Sequence, residues 1–155
     1  MLHILDLVVG ILCGVVITLI GFWWEINLGV SISSQTPVNP NDAFSTYFTF
    51  ANNSHFVLTN LRCEFIINGK DAHNNVITVF RSIIDILGHL KQGHSDTEKA
   101  SIKVISPGMN ANMEVIIYYT PKFLFIPLWR RHDSFNFQSV TTSSGYSWIE
   151  KDIVK

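Results

Sequence analysis

AFSTYFTFANNSHFVLTNLRCEFIING, residues 43–69, is the stretch that decides the fold of this chain. Phe44, Phe48 and Phe50 fall on one face of an extended segment whose other face holds Ser45, Tyr47 and Thr49. Leu61, Cys63, Phe65 and Ile67 repeat the pattern against Arg62, Glu64 and Asn68. An apolar side chain at every second position marks a strand with one buried face. Asn68-Gly69 then supplies a hairpin-type turn signal.

Working outward, Val30–Ser34 reads as a short alternating strand, and residues 35–42, with Pro37 and Pro40, as a linker or turn. Residues 75–90 satisfy two periods at once. Val76, Phe80, Ile83, Leu87 and Leu90 keep helical spacing, while Val76, Ile77, Thr78 and Val79 are β-branched, so the element stays open between helix and strand. A polar loop over residues 88–98, a strand over 100–105 and a turn at Ser106-Pro107-Gly108 follow. Met113, Val115, Ile117 and Tyr119 alternate next, then Phe135 and Phe137. A last short strand around Tyr146 to Ile149 follows the turn at Ser144-Gly145. About seven short strands, with a turn signal roughly every ten residues, imply an all-β fold, an immunoglobulin-like antiparallel sandwich.

Ahead of the strands, residues 7–24, LVVGILCGVVITLIGFWW, carry no charge. With Leu2 to Leu5 the segment reaches the roughly 20 residues that a bilayer-spanning helix needs. Its Leu, Ile, Val and Phe side chains together favour insertion by several kcal/mol, which outweighs Asp6 at the end of the run. Trp23 and Trp24 stand where aromatic rings prefer the headgroup layer. The run is longer than the apolar core of a secretory signal, no Lys or Arg precedes it, and no A-x-A site follows, so an uncleaved anchor is expected. The division is then an anchor over residues 1–26, a linker with the first short strand over 27–42, and the sandwich domain over 43–155. Gly10 and Gly14 form a G-x-x-x-G pair with Gly21 near the same helix face, a ridge along which a second copy can pair.

The chain has 155 residues, 11 basic and 12 acidic, so it lacks the cationic excess that phosphate neutralisation on a nucleic acid demands. Of its two cysteines, Cys13 lies in the apolar segment and Cys63 in the domain, which leaves no bridge within the domain. Six histidines are scattered without an H-x-x-x-H or Cys/His spacing, so no metal is expected. There is no G-x-S-x-G, P-loop or dinucleotide glycine pattern, and the expectation is a non-enzymatic protein without a cofactor. Asn52-Asn53-Ser54 fits a glycosylation acceptor, but the same triplet suits a loop between strands.

The stretch Val30 to Phe65, VSISSQTPVNPNDAFSTYFTFANNSHFVLTNLRCEF, resembles a group of uncharacterised bacterial single-pass membrane proteins. These pair one N-terminal helix with a small immunoglobulin-like or fibronectin-III-like sandwich. Ser106-Pro107-Gly108, Phe135-Asn136-Phe137 and Gly145 to Trp148 look like the Pro-Gly turn, the paired aromatics and the Gly-to-Trp strand of that group. A more distant similarity is to the water-stress and late-embryogenesis sandwich domains, at Phe48 to Asn53. The resemblance implies a fold and a membrane address, the bacterial inner membrane with the domain outside the cytoplasm, and no particular activity. This chain departs from the group in lacking a second domain cysteine and in a longer, more apolar segment over residues 71–98.

PKFLFIPLWRR, residues 121–131, is the most suggestive segment for contact with something else. As a projecting loop, Phe123, Phe125, Trp129, Arg130 and Arg131 would offer an aromatic and basic surface to a partner protein or to lipid headgroups. As a bent strand, the same rings would be core. The expected function is a membrane-anchored interaction or structural module that binds another membrane or envelope protein. The alternative is a sandwich that holds an apolar ligand or lipid, or protects membranes under stress.

Overall fold

The computed structural model describes residues 2–27, 29–70, 73, 76–86, 88–99, 111–123, 126–143 and 145–151. It opens with a helix, α1 (Leu2–Asn27), followed by ten strands among the described residues. β1 (Val30–Ser34), β2 (Tyr47–Asn52) and β6 (Ser95–Lys99) form a three-stranded antiparallel sheet in the order β1-β2-β6. β10 (Gly145–Glu150), β9 (Arg131–Thr142), β7 (Asn112–Phe123), β3 (Val57–Lys70) and β4 (Val76–Asp85) lie side by side in the second, also antiparallel. Two short strands flank this sheet, β5 (His89–Leu90) on β3 and β8 (Ile126–Pro127) on β7.

The two sheets pack face to face. Val30, Ile32, Phe48 and Phe50 of the smaller sheet meet Cys63, Phe65, Val115, Ile117 and Phe137 of the larger, all buried in one core. Phe48 is the central contact, its ring centroid 5.5 Å from Phe65 and 5.1 Å from Phe137. Such tilted and edge-on pairs add about 0.5–1.5 kcal/mol beyond the area they bury. Phe44 sits on a 3-10 turn, Ala43–Ser45, and closes the far end edge-on to Trp148. Between the sheets, a cavity of about 30 Å³ beside Phe50, Leu61, Ile86 and Leu90 has room for about one water.

One backbone feature sets which side chains of β3 point inward. Phe56 and Leu58 are buried, and so are Leu61, Cys63, Phe65 and Ile67, so the inward parity changes from even to odd. The change falls at a bulge between Thr59 and Arg62 against β7, where Asn60 adopts a left-handed φ of 52°. Asn tolerates that conformation because its short side chain can bond locally.

The structure departs from the sequence-based expectations in three places and settles two further readings. Among the described residues strands number ten rather than about seven, because polar and very short segments also pair. Residues 88–98 are not a plain loop: β6 is an edge strand whose polar side chains carry no alternation signal, and its partner is β2. Asn68-Gly69 does not turn the chain but lies within β3, beside an irregularity at Ile67 and Asn68 against β4. The open segment is the strand β4, where β-branched residues prevail over helical spacing because β3 provides a ladder for them. β1, grouped with the linker by sequence, pairs along its whole length with β2 and buries Val30 and Ile32. The expected strand over residues 100–105 and the turn at 106–108 lie outside the described residues.

The described side chains of α1 are exposed, among them Ile4, Leu12, Ile17 and Trp23. Gly10, Gly14 and Gly21 have nothing within 4 Å of where a Cβ would stand, and Thr18 Oγ1 donates to the Gly14 carbonyl at 2.8 Å. Among the described residues no helix is long and apolar enough to cross a membrane.

Candidate functional site

The outward face of the larger sheet is built by register. Across β4, β3, β7 and β9, Asp85, Arg62, Tyr118 and His132 stand in one row, and Ile83, Glu64, Ile116 and Ser134 in the next. A third row holds Arg81, Ile66, Glu114 and Asn136. Each is the out-pointing member of an alternation whose in-pointing members form the core, so core packing fixes which side chains reach this face.

Glu64 is the unusual member. It is only 2% exposed although it points away from the core. Its carboxylate accepts from Arg81 Nε and, at 3.3 Å, from the Tyr118 hydroxyl. Arg81 itself stays largely open to solvent, so the pair presents a guanidinium outward over a covered carboxylate. That hydrogen bond, with the attraction of the Glu64 charge, holds Arg81 above its ordinary pKa. In the neighbouring row Arg62 Nε donates to Asp85 at 2.7 Å, which holds the Asp85 carboxyl below its usual range and raises Arg62. Arg130 lies over the Tyr118 ring at 5.2 Å, and His132 stands beside the same ring at 5.7 Å. Arg62, Arg81 and Arg130 thus surround one tyrosine, with exposed Ile83 lining the same cleft.

Beyond Arg130 the surface continues onto a hairpin at the end of the sandwich. β7 runs through Pro121 to Phe123, and β8 turns back on it, pairing Lys122 with Pro127 and Phe123 with Ile126. Leu128 N donates to the Pro121 carbonyl at 2.8 Å, and the Phe123 ring stands edge-on to Phe56 at 6.0 Å. On this braced hairpin Phe123 is 45%, Ile126 63% and Trp129 55% exposed. Of the five residues singled out by sequence here, Phe123, Trp129 and Arg130 are exposed and Arg131 is half-buried at the start of β9. Phe125 lies outside the described residues.

Behind the hairpin, Asp133 ties three segments together. Its Oδ2 accepts from the Tyr119 hydroxyl at 2.8 Å and from Val30 N at 3.1 Å. Gly29, with φ +58°, lies against the same carboxylate, where a Cβ would come within 2.7 Å of Oδ2. Burial, then the bond to Asp133, pushes the Tyr119 phenol upward.

The remaining sequence candidates have structural placements. Cys63 is fully buried, and desolvation pushes its thiol up, away from the reactive thiolate. Asn52 is 1% exposed; its amide donates to the carbonyls of Phe56 and Leu90 at 2.7 and 2.9 Å, while its oxygen accepts from Ser54. An amide so enclosed is a structural clamp and not an accessible glycan acceptor. Among the described residues no three His, Cys, Asp or Glu side chains gather as a metal site would require. The chemistry on offer at the outer face is recognition: guanidinium groups with free donors around an aromatic ring.

Sequence reasoning passed over Glu64, Arg81 and Tyr118. Each reads as an ordinary polar-face residue of its strand, and only strand order makes them neighbours. Compared with known proteins, the chain matches no family model, and neither a curated protein nor a solved structure matches it.

Proposed function

We infer that this chain is a membrane-anchored, non-enzymatic interaction module of immunoglobulin-like type, which uses the outer face of its larger sheet to hold another membrane or envelope protein. The observation that carries this is the set of Arg62, Arg81 and Arg130 around Tyr118. Arginine and tyrosine are the residues most often found at the energetic centre of protein interfaces. Here the guanidinium groups of Arg62 and Arg81 are already oriented by Asp85 and Glu64, so less side-chain freedom is lost on binding. The complementary partner surface carries carboxylates beside apolar side chains that can cover Ile83.

The anchor half of the proposal is supported by α1. Its 26 residues give a length of about 39 Å against a hydrocarbon core of about 30 Å. Residues 7–24 are uncharged, and the described side chains of the helix have no protein packed against them. In water such a helix would leave a large apolar surface unburied. The sandwich then stands on the extracytoplasmic side of the inner membrane. The rival reading, an apolar-ligand binder, has little room, since the cavity beside Phe50 and Leu90 holds about one water.

Two measurements test the proposal. Alkaline carbonate extraction of membranes should leave the chain in the pellet; release into the supernatant removes the anchor. A photo-crosslinking side chain at Ile83 should give one discrete adduct with a second protein, weakened by Arg62→Ala with Arg81→Ala, while the same probe at exposed Val38 gives none. Equal adducts at both positions, or none at Ile83, would overturn the interaction surface.

A further inference from the structure

The geometry points to a second contact: the hairpin over residues 121–131 rests on the headgroup layer of the same membrane that holds α1. The inference depends on the anchor proposed above. Only Leu28 separates Asn27, the last residue of α1, from Gly29 in sequence, a reach of roughly 7 Å. Gly29 and Val30 are pinned to the domain by Asp133 and by Asn53 N donating to the Gly29 carbonyl at 3.2 Å. The membrane surface therefore passes close to Asp133 and Tyr119, whatever angle the helix takes.

Strand direction then decides which part of the domain faces that surface. β1 leaves this point and runs toward the opposite end, where Ser34 Oγ meets the Trp148 carbonyl. β7 runs the other way, from Tyr119 to Phe123, and carries the hairpin roughly 13 Å past the pinned point. The hairpin therefore projects from the end at which the chain enters the domain.

Its composition suits that position. Ile126 and Trp129 are its outermost described apolar side chains, and Trp favours the boundary between headgroups and acyl chains. Lys122 and Arg130 flank them with positive charge for lipid phosphates. Phe56 and the β7–β8 pairing stiffen the hairpin, so little conformational freedom is lost on contact.

The test uses the full chain in nanodiscs of phosphatidylcholine, with or without phosphatidylglycerol. A nitroxide is attached to Ile126→Cys in a Cys13→Ser background, where buried Cys63 does not compete, and in parallel to Asn41→Cys at the far end. The expected result is that the label at 126 collides preferentially with lipid-soluble oxygen and the label at 41 with a water-soluble nickel chelate. In phosphatidylglycerol discs, Arg130→Ala should lower the ratio of lipid-contacting to free states by about five-fold. Equal nickel access at 126 and 41, in a chain that resists carbonate extraction, overturns this contact and leaves the anchor standing. A chain released by carbonate overturns both.

Discussion

Replacing Tyr119 by Phe removes a single hydroxyl from the point where the helix joins the sandwich. The ring is 1% exposed and its hydroxyl donates to Asp133 Oδ2 at 2.8 Å. A hydrogen bond to a charged acceptor is worth about 1.5–3 kcal/mol, and the Phe ring fills the same space, so that loss is the whole expected cost. For a domain of this size it corresponds to a fall in melting temperature of roughly 6–12 °C. The pH dependence makes the test sharper. Burial and Asp133 raise the folded-state pKa of Tyr119 above the usual value near 10. A raised pKa favours the protonated form in the folded state, so this stability is fully present below pH 10 and is lost as pH rises beyond it. The loss approaches about 1.4 kcal/mol per pH unit. Urea unfolding of the full chain in detergent micelles, followed from pH 8 to 11, should show the wild type converging on Tyr119→Phe above about pH 10. A variant as stable as the wild type at pH 8, or a stability gap that does not narrow in alkali, would refute the role given to the Tyr119–Asp133 pair.

Phe48→Ala, which empties the space between Phe65 and Phe137, should cost about 3–5 kcal/mol in equilibrium unfolding. Gly29→Ala forces a left-handed φ on a residue with a Cβ and drives that carbon into Asp133 Oδ2. It should lower stability by more than the roughly 1 kcal/mol of the backbone strain alone, as read by thermal unfolding. Asn52→Ala removes the amide that donates to the Phe56 and Leu90 carbonyls and should cost about 1–3 kcal/mol. In a glycosylating secretory host, wild-type Asn52 should stay unmodified by mass spectrometry. In a Cys13→Ser chain, maleimide should leave native Cys63 unlabelled and add one adduct only after denaturation, because burial withholds both access and the thiolate.

The strands that bury one face against the other sheet were legible because alternation records burial directly. Phe48 and Phe50, Cys63 and Phe65, and Val115 and Ile117 all point where their parity places them. Legibility fails where the pattern is made by something other than burial. β6 has no apolar member to alternate, and it becomes a strand because β2 has a free edge for it. Asn68-Gly69 carries the chemistry of a turn but lies in a paired strand opposite the extra residue Val79, and a Cβ on Gly69 would come within 2.6 Å of Val79 Cγ2. At Asn60 a bulge resets the parity of β3, and a single-period reading of residues 56–67 cannot hold both Leu58 and Leu61 inside.

The outer face is the converse case. Its residues could be named from parity, but their order across the sheet could not, and the recognition chemistry lies in that order. With β7 and β4 on either side of β3, Glu64 falls within reach of both Tyr118 and Arg81 and is covered by them. In any other strand order it would be an ordinary solvated carboxylate, and Arg81 would lose the partner that orients it. A covered carboxylate is costly unless its cation stays, so Glu64 fixes Arg81 in place more firmly than a surface ion pair would. The hairpin differs again: by sequence its aromatic residues fitted either a projecting loop or a bent core strand, and its direction was not legible. That direction follows from β1 starting beside Asp133 and β7 running past it, so the end of the domain from which the hairpin projects is set by topology rather than by composition.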